Sequence, residues 1–595
     1  MVENLVNVKY FRLITAVGAV CFGCLFLINL YLSDETLLVF RVIYSIESTI
    51  AAYTGSHGET LEKLRVLVET DKSFYILFIF YCISSIMAIV FSLALVYDLI
   101  KLIFTRSKEG IRNFNSDSYV IFGFNDDVKT MIENSQNVNK RDIHIISSSP
   151  FKDYELREIS KLGVSFDYID LPGMSDVKAA RVLKRKRFFK VKHVLLADEC
   201  NYSLYRKLNG DLIKRNKELR ISFVPMNSAQ EQMIGNDNHI LVNSISKKEI
   251  IAQSIGGVLS DILCADINLY RQKDIKCMVA GFDETELYLV RMLVNQLTVS
   301  CDTKIEIDIV DHNAKDNLGI ALEKIYTGYK VEKGLFIDNN VCDGELMVNS
   351  CNMSYKDDLC HEMLINDEYD FVILNLQEEN DYTVFIEENR SLFGYLSKTK
   401  FIVPILLKTD ISDNLFEGID NIYRADVYAK YNLDLLKCDK TEENAIEFNY
   451  QYNSIYQQPE DDKYSLWINT DYYGKRSTLF QSFHQDINSS LINTDIMSSI
   501  DKLLIDIKEN NSEDIIRTIK CDKYIEELAM IEHRRWTYFA VLEGFRYSEI
   551  KNKSILRSDC ILKWVDLCKK RPDTLIYDLS PFIIICEESQ CQNQN

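Results

Sequence analysis

Two stretches of this chain carry the same strand, turn and helix, and that repetition narrows the folds open to it more than any other feature. In SYVIFGFNDDVKTMI, Ser118 to Ile132, the residues Tyr119 to Phe122 are β-branched or aromatic and too few for a helix. They read as a buried parallel strand. Gly123 supplies the tight turn, and Asn125 caps a helix with Val128, Met131 and Ile132 on its apolar face. KCMVAGFDETELYLVRML, 276 to 293, is the same device again. After the first copy, the strand-like runs DIHIIS, VSFDYI, HVLLA, LRISFV and HILVN alternate with helical stretches. Alternation of this kind makes a doubly wound parallel sheet. The expected fold class is therefore α/β, with one such sheet in 117–264 and a second in 275–438.

Upstream lie two apolar runs. Tyr10 to Leu32 is interrupted only by Arg12 and Asn29, and as a helix it covers roughly 35 Å, against a hydrocarbon layer of about 30 Å. Phe74 to Tyr97 carries no charge before Asp98, and Lys101, Arg106, Lys108 and Arg112 follow. With Lys9 and Arg12 at the other end, the positive-inside rule predicts a transmembrane helical hairpin over 1–105. Its spans are 10–32 and 74–97, its outer loop is 33–73, and both termini are cytoplasmic at the inner (plasma) membrane. Ser84, Ala88 and Ser92, with Ala19 and Gly23, form small faces suited to packing the hairpin or a homo-oligomer, dimer or tetramer, the alternative being a stripe that lines a pore. Leu37 to Tyr53 is apolar enough for an interfacial or re-entrant helix, and the residues after it lack the TVGYG-like run of a potassium filter.

A net charge of −20 disfavours a nucleic-acid polymer as partner, because neutralising phosphates needs a surplus of Lys and Arg. Sixteen scattered cysteines read as reduced core thiols. No zinc-spaced cluster, Cys/His pair or P-loop is present, so neither a metal nor catalysis is expected. The basic run Arg181, Lys184, Arg185, Lys186, Arg187 and Lys190 reads as a solvated helix end or as a contact for anionic headgroups.

A Rossmann dinucleotide fingerprint needs three glycines in its turn. The first copy offers Gly123, Asn125 and Val128, with Ser147 or Ser148 where a ribose-holding acid belongs. The second offers Gly281, Asp283 and Leu287, and its next strand, IEIDIV, ends at Asp311, where that acid belongs. Side chains in place of glycine obstruct a pyrophosphate, and an acid at Asp283 takes the phosphate's place itself. Gly123, Asn125, Gly281, Asp283 and Asp311 are the nucleotide candidates, set against a purely structural sheet. Residues 333–368, rich in Asp, Asn and Cys without strand periodicity, read as an insertion or loop. The striped helix Lys247 to Cys264, with Ile251, Ile255, Val258, Leu259 and Ile262 on one side, packs on its own domain or crosses to a second subunit.

The GFN turn at Gly123, the segment DLPGMSDVKAARVL from Asp170 and the two-span anchor ahead of them resemble the RCK domains, related to the TrkA N-terminal domain, of two-span channels and transporters. Farther on, ELAMIEHRRWTYFAVLEGFRYS, 527–548, places Leu528, Ala529, Glu532, Trp536, Phe539 and Ala540 on one helical face, which buries Trp536 and leaves His533 and Arg534 to the side. Its EHxxW core and Gly544 turn, the flanking ILKWVDL and KKRPDTLIYDLSPFI, and NYQY and KRSTLF upstream resemble the ryanodine-receptor (RyR) domain, a mainly α module, here 440–595. Asp559 and Cys560 replace the family's usual His-Pro. Arg476, Arg534, Arg535 and Arg546 are suited to phosphates, Tyr473, Trp536 and Tyr547 offer stacking faces, and His533 lies among them. Against this stands a reading of Trp536 as core and the arginines as surface ion pairs.

The combination resembles bacterial effectors of nucleotide-signalled antiphage defence. It implies a ligand-gated, membrane-anchored effector or channel-like protein whose partners are the lipid bilayer and a small nucleotide-like ligand. The alternative is an RCK-type regulator of ion transport binding NAD or ADP. An NAD-using enzyme ranks below both, since a hydride-transfer site keeps its glycine fingerprint.

Overall fold

The computed structural model describes the chain except residues 1–18, 35–36, 55, 57, 109–113, 199–200, 210–218, 225–240, 283–286, 323–333, 338–340, 377–378, 408–412, 438–439, 455–461, 493–495, 497, 501–516, 518 and 594–595. It falls into two compact units, Met1–Arg112 with Phe151–Arg157 and Ser165–Asp167, and the remainder.

In the first unit helices run over Ala19–Leu32, Leu38–Tyr53, Gly58–Thr70 and Tyr75–Lys108. Burial there is inverted relative to a water-soluble bundle. Asn29, Ser45, Thr49, Thr60, Ser84 and Ser85 are buried, whereas Val39, Phe40, Ile43, Ile76, Ile79 and Ile83 are exposed. Three of these polar groups bond one another: Asn29 Nδ2 donates to Thr49 Oγ1 at 3.0 Å, and Thr60 Oγ1 donates to Asn29 Oδ1 at 3.1 Å. Among the described residues one helical stretch, Lys72–Val90, is long and apolar enough to cross a membrane. Of the expected span 10–32, residues 10–18 lie outside the described residues, and Ala19–Leu32 is a shorter apolar helix.

Beyond the first helices the chain forms two parallel sheets built on one plan. In the first, β1 (Tyr119–Phe122), β2 (Ile143–Ser147), β3 (Ser165–Tyr168), β4 (His193–Leu196), β5 (Arg220–Phe223) and β6 (Leu241–Ser244) lie in the order β3-β2-β1-β4-β5-β6. Strand order reverses between β1 and β4, which flank one another in parallel; such a switch point is where open α/β sheets bind ligands. The second sheet comprises β7 (Ile275–Ala280), β8 (Lys304–Asp311), β9 (Gly334–Ile337), β10 (Glu345–Asn352), β11 (Phe371–Leu374), β12 (Lys400–Ile405) and β13 (Ile422–Asp426), in the order β13-β12-β11-β7-β8-β10-β9. With the antiparallel edge strand β9 set aside, the order is the same doubly wound one. The fold is α/β with two Rossmann-like sheets.

One expectation is corrected here. Residues 333–368 are no loop: they supply β9, the helix Asp358–Asn366 and β10, the third strand of the parallel set. Leu346 and Val348 of β10 are buried, but its second half is polar, and Asn349 Nδ2 donates to Asp308 Oδ1 on β8 at 2.7 Å. A polar pairing across the sheet hides the strand from any test of apolar alternation.

The C-terminal helices Tyr472–Phe483, Lys523–Leu542 and Ser580–Asn593 share a core with the second sheet, while Lys440–Ser454 and Lys463–Asn469 meet in a small cluster of their own, Ala445, Ile446 and Trp467. Val290 and Leu293 of helix Leu287–Leu297 belong to one buried cluster with Phe480, Leu528, Tyr538 and Phe582. The stripe of helix Lys247–Ala265 also enters that cluster, packing on Leu287–Leu297 and on β12 and β13 of its own chain. The first sheet is tied in by Arg220, whose guanidinium donates to both Glu442 oxygens at 2.8 and 3.3 Å, and by Asn134, which donates to the carbonyls of Leu406 and Tyr431.

Candidate functional site

The two switch points are held by protein groups. Gly123 and Gly281 have φ of +96° and +90°, and a Cβ there would lie 2.4 Å from the Ala197 carbonyl oxygen and 2.3 Å from that of Asn375. Each glycine lets its turn press on the end of the neighbouring strand, a need that exists with or without a nucleotide. Asn125 Oδ1 accepts from Val128 N at 2.9 Å and caps helix Asp126–Asn134. Between the ends of β2 and β4, Ser148 Oγ donates to Asp198 Oδ2 at 2.5 Å. In the second copy Asp311 accepts from Phe282 N at 3.4 Å and Asn313 N at 2.9 Å. Asp283 lies outside the described residues. A nucleotide held by Asp311 would displace bonds that now stitch the turn.

A larger opportunity lies in the C-terminal module. Asp522 accepts from Tyr524 N and Ile525 N to start helix Lys523–Leu542, and Gly544, at φ +91°, turns the chain after it. The expected inner face is covered at Leu528, Ala529, Glu532, Phe539 and Ala540, but burial extends around the helix to the residues expected at its side. Trp536 is half-buried, whereas His533, Arg534 and Arg535 are buried at 1–3% exposure. Buried cations are tolerated because each has counter-charges or hydrogen-bond acceptors at hand. Arg534 Nη1 donates to the Ser300 carbonyl at 2.8 Å, Nη2 donates to the carbonyl of Thr303, and Nε donates to Tyr538 Oη at 3.1 Å. Arg535 forms a fork with Glu532 at 2.7 and 2.6 Å and reaches Asn295 Oδ1 at 2.9 Å. Arg476 pairs with Glu543 at 3.3 Å and Glu249 at 3.5 Å.

Beside this helix opens a cavity of about 670 Å³, within the usual size of small-molecule sites. Of the residues singled out in the sequence, Tyr473, His533, Arg535 and Trp536 line it. Arg476, Arg534, Arg546 and Tyr547 are not among its lining residues. Arg476 and Arg534 fasten the module to its neighbours instead, Arg546 lies in a two-residue strand paired with Arg557–Ser558, and Tyr547 Oη accepts from Lys570. Among the lining residues without a sequence-based assignment are Asn449, Tyr452, Arg571, Tyr577 and Asp578. The Tyr452 and Tyr577 rings stack at 4.1 Å and 27°. Both sit in segments, NYQY and RPDTLIYDL, that carry the RyR resemblance; their separation along the chain conceals that they meet.

The buried wall is electrically coupled. Burial alone would lower the His533 pKa, but Asp578, 3.4 Å away, and the Leu562 carbonyl on its other nitrogen hold it above the usual imidazole value. Burial raises Glu532 and Asp578, partly offset by Arg535 and His533 respectively. Burial also raises Tyr473 and pushes the Cys560 thiol up to about 12, which makes it a poor nucleophile. Tyr473 Oη and Asn449 Nδ2 are buried without a hydrogen-bond partner among the described residues. Stacked rings, amides and paired charges suit recognition of a planar polar molecule. No group of three or more His, Cys, Asp or Glu among the described residues could hold a metal.

No protein-family model matches the chain, and no curated protein does. Two solved structures are similar to it at low level. The crystal structure of a GsuK mutant is 13% identical, with TM-score 0.34, over 72% of this chain and 99% of that one. The GsuK Channel structure is 10% identical, with TM-score 0.36, over 74% of this chain and 85% of that one. Scores of this size decide nothing about function, and the Rossmann-like assignment rests on the strand orders of the two sheets themselves.

Proposed function

We propose that the chain is a membrane-anchored, ligand-responsive protein: a small nucleotide-like molecule binds in the C-terminal cavity, and its occupancy alters how the anchors pack or open. The observation that carries this reading is the cavity of about 670 Å³, with stacked aromatic rings on one side and a buried, polar, charge-paired wall on another. The anchor is the hairpin around Lys72–Val90, with both termini on the cytoplasmic side of the inner membrane and assembly as a homodimer or homotetramer. The protein acts by binding rather than turnover. Its setting in bacterial antiphage defence rests on the domain order alone. The test is dye release from liposomes containing the full-length protein, with and without added mono- and cyclic dinucleotides. Release that no ligand changes, in protein whose calorimetry shows no binding, removes the proposal.

A second reading, an RCK-type regulator binding NAD or ADP at the second sheet, draws on Asp311 standing beside the Gly281 turn. Purified protein that carries adenine nucleotide, lost on Asp311→Ala, would favour it.

A further inference from the structure

The charges around the cavity come in pairs. Among the buried residues of its wall, Arg535 is taken by Glu532 and His533 by Asp578. Toward solvent, Lys553 meets Asp471 at 2.7 Å, and Arg571 forks onto Asp573 at 3.0 and 2.8 Å while also bonding Asp559. Arg535, Lys553, Arg571 and the His533 ring are thus each matched by a lining carboxylate, and a phosphate that recruited any of them would leave an acid facing it. For the two pairs in the buried wall that acid would be desolvated as well. Lys551, exposed at the rim, is the lining cation with no carboxylate within 4.0 Å among the described residues. The remaining lining is neutral: the Tyr452/Tyr577 stack, Trp536, and the amides of Asn449 and Gln481.

We infer that the cavity selects a planar, hydroxyl-bearing ligand with at most one anionic group, a nucleoside or nucleoside monophosphate, and discriminates against polyphosphates and cyclic oligonucleotides. This rests on the proposed reading of the cavity as a nucleotide-type site. The ring enters the aromatic side, its polar edge meets Asn449 and Gln481, and the single phosphate lies toward Lys551. The four acids, which would stabilise nothing in a polyanion, act as the discriminating element by repulsion.

The test is isothermal titration calorimetry on the full-length protein in detergent, using adenosine, AMP, ATP and cyclic di-AMP. AMP is expected to bind more tightly than adenosine, and ATP and cyclic di-AMP at least about tenfold more weakly than AMP. Lys551→Met, a surface change, is expected to reduce AMP affinity to that of adenosine, and Tyr577→Ala to abolish binding of both while the thermal melt stays cooperative. Tighter binding of ATP or cyclic di-AMP than of AMP overturns the charge inference and leaves the cavity reading standing. Absence of binding by all four probes overturns both. AMP affinity unchanged in Lys551→Met overturns the placement of the phosphate.

Discussion

Arg535 illustrates how a side chain that invites a ligand from the sequence can be consumed by the fold. Its guanidinium is 2% exposed and divided between Glu532 and Asn295, so its worth is structural. Arg535→Met should destabilise the protein by roughly 3–5 kcal/mol, because Glu532 is left buried without its counter-charge. The double change Glu532→Gln with Arg535→Met should recover most of that loss, and denaturant titration measures both. His484 supplies a pH signature. Burial, reinforced by Arg535, lowers its pKa to about 3 from the ordinary imidazole value of 6.5, and its Nδ1 faces Asn488. A depressed pKa means the fold holds the neutral ring. Its stabilising contribution is therefore present above pH 6.5 and is lost as pH falls toward 3. In melts across that window the natural protein should lose stability with a slope that His484→Gln reduces. At this scale the sequence was informative about residue types and poor about partners. The arginine-rich patch was visible, but Ser300, Thr303 and Asn295, which occupy Arg534 and Arg535, lie more than two hundred residues away along the chain.

The two glycine turns were the most legible elements, since a strand too short for a helix followed by glycine and a capping residue leaves few alternatives. Their glycines are required by the close approach to the neighbouring strand, with or without a nucleotide. Gly281→Ala forces a side chain into φ +90° and onto a carbonyl 2.3 Å away, and should cost about 1–3 kcal/mol in strain before any repacking. Gly319→Ala, in helix Ala314–Leu322 with nothing within 4 Å of the added Cβ, should instead stabilise by about 0.5–1 kcal/mol, and comparing the two melts separates the effects. β10 was illegible because its polar half pairs with Asp308 across the sheet. Helix Leu38–Tyr53 was readable as apolar, but only its burial pattern tells which side faces inward: Ser45, Thr49 and Ala52 are covered while Val39, Phe40, Ile43 and Ile50 are bare. Full-length protein in liposomes, exposed to a lipid-soluble carbene label and mapped by mass spectrometry, should carry label on Val39, Ile43 and Ile50 and spare Ser45 and Thr49. Label equally spread around the helix would contradict a lipid-facing apolar side.

At the scale of the whole chain, the sequence places a boundary near residue 439 between a second sheet and a separate module, and composition does shift there. Packing does not. Helix Leu287–Leu297 is buried from Leu289 to Leu297 with only Arg291 partly open, and much of what covers it comes from beyond that boundary. Asn295 donates to the Phe480 carbonyl, Gln296 to that of Phe483, and Arg291 to that of Leu542, so the helix carries hydrogen-bonding groups that only the C-terminal module satisfies. Ending the chain at Lys437 would expose an apolar surface of the second sheet's first helix and orphan three buried or half-buried polar side chains at once. The truncated protein should therefore aggregate or unfold on extraction, whereas the full-length protein elutes as one species. A truncated chain that is monodisperse on size exclusion and melts at the full-length temperature would show that the second sheet stands without the module. In that case the cavity could not signal through this shared core. If truncation does disrupt the sheet, the cavity wall at Glu532 and Arg535 is one hydrogen bond from Asn295, and thus from the helix that follows the Gly281 turn, which gives ligand occupancy a direct physical route into the sheet.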